Sequence, residues 1–185
     1  MPRVGLDSES VVSAAAELAD AEGLEAVTLA KVAARLNVRA PSLYVHVGGG
    51  LEDLRARIAE RGGRALLTQL QAAAAGRAGE DALRAIAGAY RAYARAHPGS
   101  YAATQRVALL GGEESAKAAA TLVELLLTVL RGYGLEGDDA VHAVRVVRAA
   151  LHGFALLETG DGFGMPLDLD ESFERLVQTL HQGLS

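Results

Sequence analysis

Apolar residues recur along this chain at spacings of three and four, which is the spacing of one face of an α-helix. Alternation of apolar and polar residues, which marks a half-buried strand, never lasts for more than a few residues. The pattern therefore predicts an all-α fold of about nine helices. The predicted helices cover residues 8–22, 28–36, 41–46, 51–75, 80–96, a short segment after Pro98, 113–133, 138–158 and 170–182.

The first two helices have recognisable start and stop residues. Asp7 or Ser8 can cap the first helix, and Gly23 ends it. Thr28 is placed to cap the second helix. Asn37 is expected to end that helix in the left-handed conformation that asparagine tolerates. The second helix is therefore short, with fewer than three turns.

Residues 28–46 place a short helix, a turn of about four residues and another short helix in succession, which is a helix-turn-helix. Pro41 fits the first turn of the later helix, because an N–H there would have no intrahelical partner. In this motif the later helix enters the major groove of DNA, with its N-terminal residues against the base edges. Leu43 and Val47, on its other face, are then expected to be buried. We therefore predict a DNA-binding head at 1–50 and a helical body at 51–185.

Several side chains of this segment suit contact with DNA. Lys31, Arg35 and Arg39 can meet phosphates or bases, and the Ser42 hydroxyl can serve either. Two placements stay open for the Tyr44 ring, which either lies partly in the core or faces DNA. The three helices could also be structural elements of an ordinary bundle.

The run Gly-Leu-Glu-Ala-Val-Thr-Leu-Ala-Lys-Val-Ala-Ala-Arg-Leu-Asn-Val-Arg-Ala-Pro-Ser-Leu-Tyr-Val-His-Val at 23–47 resembles the N-terminal domain of the TetR family of bacterial transcriptional regulators. Its most specific part is Val-x-x-Pro-Ser-Leu-Tyr-x-His-Val at 38–47. The resemblance implies a DNA-binding regulator, with repression as the default activity. One departure is Gly50, which stands where the family usually has a phosphate-binding lysine. The absence of this lysine predicts weaker DNA binding with a weaker dependence on salt.

By position, the resemblance also implies a role for each residue of the segment. Thr28 would cap its helix and touch a phosphate, and Arg39 would stand at the entry of the recognition helix. Three residues that follow would face bases, and two more would contact the DNA backbone. The candidate DNA-binding residues are Thr28, Lys31, Arg39, then Ala40, Pro41 and Ser42 at the bases, and Tyr44 and His46 at the backbone.

The body resembles a TetR subgroup named for a Trp-His-Gly motif, of which His152 and Gly153 are present and the tryptophan is not. In that subgroup the last two helices form a dimer interface, so we expect a homodimer on a near-palindromic operator. The 141–154 helix is apolar on two sides, one for the core and one for a second subunit, unless both are core. The candidate interface residues are Val146, Ala149, Ala150, Gly153, Phe173, Val177 and Leu180.

A small-molecule effector is the other expected partner. It would act by favouring one separation of the two heads over another. Binding pockets are mostly apolar with a few convergent polar groups. The candidate lining residues are Tyr90, Tyr101, Gln105, Leu126, Arg148, Leu151 and Phe154.

Composition argues against other classes of protein. The absence of cysteine excludes disulfides and thiolate catalysis. His142, His152 and His181 lack the three- or four-residue spacing of helical metal ligands, so we expect no metal, no cofactor and no enzymatic activity. No signal peptide or membrane-spanning run is evident, which predicts a cytoplasmic protein without a membrane partner. A net charge of -5 argues against indiscriminate coating of nucleic acid. An interaction module with weakened DNA binding and a helical-bundle enzyme stay open as alternatives.

Overall fold

The structure is a computed structural model that describes residues 6–110 and 113–185, with the side chains of all of these except 107–110 and 113–115. Eight α-helices follow one another in these ranges. They are α1 Ser8–Glu22, α2 Leu29–Arg35, α3 Gly50–Ala74, α4 Gly79–Ala96, α5 Pro98–Leu110, α6 Glu113–Arg131, α7 Gly137–Thr159 and α8 Leu169–Leu184. Two 3₁₀ segments, Leu24–Ala26 and Ala40–Val45, complete the order, and the described residues form no strand. The predicted all-α fold is confirmed.

All nine predicted helical segments are present, with two differences. The third is a 3₁₀ helix beginning at Ala40, and the 3₁₀ turn Leu24–Ala26 was not predicted. The turn has only three residues, which is too short for a periodic pattern to appear.

The predicted caps of the first two helices are confirmed. Asp7 accepts a hydrogen bond from the Ser10 backbone N–H at 2.7 Å, and this bond lowers the pKa of the Asp7 carboxyl. Thr28 Oγ1 accepts from the Lys31 backbone N–H at 3.2 Å. Asn37 adopts a φ of 55°, the left-handed conformation that ends α2.

The chain divides into two compact units, the first formed by the described residues of 1–64 and 97–116, the second by 65–96 and 117–185. The first unit has a core of small and branched apolar residues from α1, α2 and the N-terminal half of α3. Val11, Val32 and Leu54 are fully buried in it. This core holds the helix-turn-helix in place.

α5 belongs to the first unit because its N-terminus is bonded to the end of α1. Asp20 accepts hydrogen bonds from the Ser100 backbone N–H at 2.7 Å and the Ser100 hydroxyl at 3.2 Å, and lies 3.0 Å from His97 Nδ1. A Cβ added at Gly99 would meet the Ala19 carbonyl at 2.1 Å, so the two helices touch backbone to backbone. The sequence pattern did not predict this junction, which joins residues about 80 positions apart.

The second unit is built by α4, α7 and α8, which pack on one another. Ile86, Val147 and Val177 are among the buried residues that the three helices contribute. α7 is long and apolar enough to cross a membrane by length and composition alone. Here one of its faces, which includes Val144 and Leu151, is buried in the unit.

Candidate nucleic-acid interface

The recognition segment, Ala40–Val45, is held by apolar side chains on its inner face. Leu43 and the following Val47 are fully buried, as predicted. The Ser42 hydroxyl donates to the Arg39 carbonyl at 2.7 Å, so this backbone acceptor at the start of the segment has a hydrogen-bond partner. Ser8 Oγ donates to the His46 carbonyl at 3.2 Å and ties the end of the segment to α1. The segment is therefore fixed at both ends.

The outer face of the segment consists of side chains that the fold does not use for packing. Tyr44 is 55% exposed and Val45 is 85% exposed. Tyr44 is therefore about half exposed, and its contact with DNA stays a prediction. Pro41 and Ser42 are also exposed, whereas Ala40 is half-buried and packs against the core. Of the three residues expected at the bases, two are therefore exposed.

The basic residues of α2 are engaged with acids of α1. Lys31 Nζ lies 2.7 Å from Glu22 Oε2, and Arg35 Nη2 lies 2.8 Å from Glu17 Oε2. Arg39 differs, because its exposed guanidinium makes no hydrogen bond or ion pair within the described part of the chain. Arg39 is consequently available to a phosphate or base without first losing a carboxylate.

Gly50, the first residue of α3, has a φ of +69°. This left-handed conformation strains any residue with a Cβ, which gives a backbone reason for the glycine where the family usually has lysine. Gly48 lies two residues earlier, has no such φ, and faces open space. A cation added to this turn would therefore be accommodated at 48 with less strain than at 50.

Two family models match the chain. "Bacterial regulatory proteins, tetR family" matches residues 11–48, and "Tetracyclin repressor-like, C-terminal domain" matches residues 83–180. The chain belongs to the TetR family. It is therefore a DNA-binding transcriptional regulator, and regulators of this family are generally not enzymes.

Individual relatives of this TetR-family chain agree with the family models. An uncharacterized HTH-type transcriptional regulator of Mycobacterium tuberculosis is 40% identical over 97% of this chain and 82% of its own. The uncharacterized HTH-type regulator YobS of Bacillus subtilis is 39% identical over 99% of this chain and 95% of its own. The HTH-type transcriptional repressor DrrR1 of Streptomyces coeruleorubidus is 32% identical over 83% of this chain and 54% of its own.

Solved structures share the TetR-family fold with this chain. A protein of unknown function from Rhodococcus matches with a TM-score of 0.82 at 22% identity, covering 98% of this chain and 96% of its own. A TetR variant of Acinetobacter baumannii in complex with minocycline matches with a TM-score of 0.71 at 23% identity, over 96% of both chains.

The second unit contains a buried arginine that the sequence did not predict. Arg91 of α4 donates to both carboxylate oxygens of Glu158 at 2.8 and 2.6 Å, and lies 2.8 Å from Asp170. Its guanidinium also stands over the Phe154 and Phe173 rings, 5.4 and 4.8 Å from their centroids. The bond to Glu158 raises the pKa of Arg91, against the opposing effect of burial. These contacts join α4, α7 and α8.

Placement of the predicted pocket residues differs between the two units. Tyr90, Leu126, Leu151 and Phe154 are buried in the second unit. Tyr101 and Gln105 lie in the first unit, where Tyr101 is buried and Gln105 donates to Thr104 Oγ1 at 3.1 Å. Arg148 is exposed on α7, and its place in a pocket lining stays a prediction. Arg148 lies three residues before Leu151 on α7, but only Leu151 is buried.

The predicted dimer residues separate into two groups. Phe173, Val177 and Leu180 are 4%, 2% and 7% exposed within this chain, and their part in a dimer interface stays a prediction. The apolar stripe of α8 is the side that packs into the unit, where the Phe173 ring contacts Phe154. A helix with a single apolar stripe packs that stripe against the core of its own chain.

The other predicted interface residues lie on the outer side of α7. Val146 is 56% exposed and Ala149 is exposed, whereas Ala150 and Gly153 are half-buried. Leu156 and Leu157, each 47% exposed, extend the same side and were missed. Their spacing of seven and eight residues from Ala149 could have indicated them, had the periodicity been continued past Gly153.

The histidines considered as metal ligands have other surroundings. His181 lies 3.0 Å from the Tyr133 hydroxyl and 3.2 Å from Glu80. Burial, with a smaller effect of Arg148, lowers the pKa of His152. In the part of the chain that the structure describes, no three His, Asp or Glu side chains are grouped as a metal site.

Proposed function

We propose that this regulator is a cytoplasmic homodimeric repressor that binds a near-palindromic operator and releases it when a small molecule occupies the body. The observation that carries the proposal is the outer face of the recognition segment. It combines the exposed Tyr44 and Ser42 with Arg39, which directly precedes the segment and whose guanidinium has no partner among the described residues, while Leu43 on the inner face is fully buried. Exposed groups on a rigid helix are what direct contact with base edges and phosphates requires.

Dimerisation through the outer side of α7 is supported by its apolar character. Val146, Leu156 and Leu157 are each about half exposed, although the opposite face of the same helix already fills the core. Small residues at Ala149 and Gly153 between them allow close approach of a second helix. An isologous contact of this side with its copy would bury all of these residues and give the two-fold symmetry that a palindrome demands.

Ligand release is supported by similarity. The Acinetobacter baumannii neighbour is a complex with minocycline, and DrrR1 is named as a repressor. The four body candidates that are each buried in the second unit, Tyr90, Leu126, Leu151 and Phe154, are the residues that we propose for the lining. No enzymatic step, metal, cofactor or membrane partner forms part of the proposal.

The DNA-binding part of the proposal is tested by selecting fragments of genomic DNA on the purified full chain and sequencing those retained. We expect a shared near-palindromic site whose half-sites are centred about one helical turn apart, roughly 10 base pairs. Retention of no fragment would favour the interaction module, whereas retention of fragments without a common site would contradict sequence-specific binding.

The dimer is tested by sedimentation of the wild type and of Val146→Glu at micromolar concentration. We expect the wild type to sediment at twice the 19.2 kDa chain mass, and the variant to shift toward the monomer. Ala120→Glu, which adds the same charge at an exposed position of α6, is the matched control and should stay dimeric. A wild type that sediments only as a monomer would exclude the dimer, whereas a Val146→Glu variant that stays dimeric would move the interface elsewhere.

A further inference from the structure

Val45 is the most exposed large hydrophobic side chain in the part of the chain that the structure describes. It is 85% exposed, more than Met165 at 76% or Leu167 at 71%, which lie in the connection between α7 and α8. Unlike those two, Val45 lies inside the recognition segment, directly after Tyr44. Its exposure therefore falls on the surface that carries the proposed function.

The helical register places Val45 beside a residue expected at the bases. A 3₁₀ helix has three residues per turn, so side chains three apart lie above one another. Ala40 and Leu43 form the inner edge, in agreement with their burial. Pro41 lies above Tyr44 on one outer edge, and Ser42 lies above Val45 on the other. Val45 thus continues the edge that begins with Ser42.

The chemistry of valine leaves few contacts for it to make in a groove of DNA. Valine has no donor or acceptor, so it cannot bind a phosphate or take part in hydrogen bonds with the base edges. The major groove offers one apolar group, the C5-methyl of thymine, and aliphatic side chains are suited to pack against it. A tyrosine and a serine on neighbouring positions cover the polar contacts.

We propose that Val45 is a specificity-determining residue that packs against the C5-methyl group of a thymine in each half-site. The inference rests on the proposed function, because it requires the recognition segment to lie in the major groove. It adds to that function a preference for thymine at one position. Removing one thymine methyl group that packs against Val45 should lower the affinity for DNA by about threefold to fivefold.

The test uses an operator obtained by selection, prepared with uracil in place of thymine at one symmetric pair of positions at a time. Uracil lacks only the methyl group, so base pairing is retained. At one pair of positions, we expect the substitution to weaken binding of the wild-type chain by about tenfold for the two half-sites together. Val45→Ala, which has a shorter side chain, should distinguish the thymine and uracil duplexes much less than the wild type does. Ser42→Ala, on the same edge, is the matched control and should still distinguish them.

The outcomes separate the inference from the proposed function. If the wild type binds no selected site, the proposed function fails and the inference fails with it. If the wild type binds its operator but Val45→Ala and the wild type respond alike to every uracil substitution, only the inference is overturned. It is also overturned if no half-site contains thymine, or if Val45→Ala weakens binding to all duplexes by the same factor, which would indicate contact with the sugar-phosphate backbone. Because Val45 is exposed, Val45→Ala should keep the wild-type circular dichroism spectrum, and Val45→Thr offers a second variant with a similar shape.

Discussion

The two units of this chain place arginine in opposite surroundings. Arg39 in the first unit is exposed and has no side-chain partner among the described residues, whereas Arg91 in the second is buried between two carboxylates and two aromatic rings. A guanidinium without an internal partner can bind a phosphate or base at little cost. A guanidinium that is fully bonded inside the protein serves to hold helices together. Arg39 is thus suited to recognition and Arg91 to stability.

The largest effect is expected for Arg91→Met. Removing Arg91 leaves the buried Glu158 carboxylate with only the more distant, exposed Arg95, which should lower the free energy of unfolding by about 3 kcal/mol. Denaturant unfolding followed by circular dichroism measures this change. Arg95→Met is the control, because Arg95 is 57% exposed and lies 3.8 Å from the same carboxylate. The double variant Arg91→Met with Glu158→Leu should recover much of the loss. Equal stability of the Arg91 and Arg95 variants would mean that the buried pair does not hold the body together.

For Arg39→Ala we expect the reverse, with unchanged stability and weaker DNA binding. Loss of a phosphate contact should reduce affinity about tenfold and lower the salt slope by about one unit per head. Fluorescence anisotropy on a selected operator at several salt concentrations provides both quantities. Arg106→Ala is a matched control in the same unit, since Arg106 is exposed but paired with Glu25. An Arg39→Ala variant with wild-type affinity would remove Arg39 from the interface.

A smaller effect of opposite sign is predicted for the acids that pair with α2. Glu22→Gln and Glu17→Gln release Lys31 and Arg35 from their carboxylates, so each should tighten operator binding by about twofold to fivefold. Glu171→Gln, which releases the exposed Arg175 on α8, should leave DNA binding unchanged. If the Glu22 and Glu17 variants bind more weakly, the cations of α2 act on DNA through the ion pairs and not in competition with them.

The smallest effect concerns pH. The pKa of His152 is lower in the folded chain than in the unfolded chain, chiefly because the ring is partly buried. The unfolded state therefore binds the proton more readily, so stability should fall as the pH drops through the unfolded pKa, about 6.5. Urea unfolding at pH 7.5 and pH 5.5 should give a smaller difference for His152→Gln than for the wild type. An identical pH dependence in the two proteins would place the responsible groups elsewhere.

The head could be predicted from the sequence because its determinants are local. Thr28, Asn37 and Pro41 each fix the backbone through their own chemistry, and Leu43 is separated by only four residues from Val47, its companion in the core. Such short-range features can be recognised in the sequence alone. From the sequence, Gly50 is only a position where the family's usual lysine is absent. The positive φ that favours glycine there is seen only in the backbone of the structure.

The body could be predicted as helices but not as a set of contacts. Arg91 and Glu158 are 67 positions apart, so nothing in the spacing couples them. The α8 stripe of Phe173, Val177 and Leu180 was assigned to a partner because an apolar stripe has the same pattern whether it faces its own core or a second subunit. Only the packing of α4 and α7 against α8 shows that these residues are buried within the chain.

The central claim, that the exposed face of Ala40–Val45 binds operator DNA, is tested most directly by one binding isotherm. Wild type and Tyr44→Ala are titrated onto the same selected operator, with circular dichroism recorded for both. Because Tyr44 is 55% exposed, we expect identical helical spectra and a loss of affinity of at least about tenfold in the variant. Wild-type affinity in a correctly folded Tyr44→Ala variant would contradict the account.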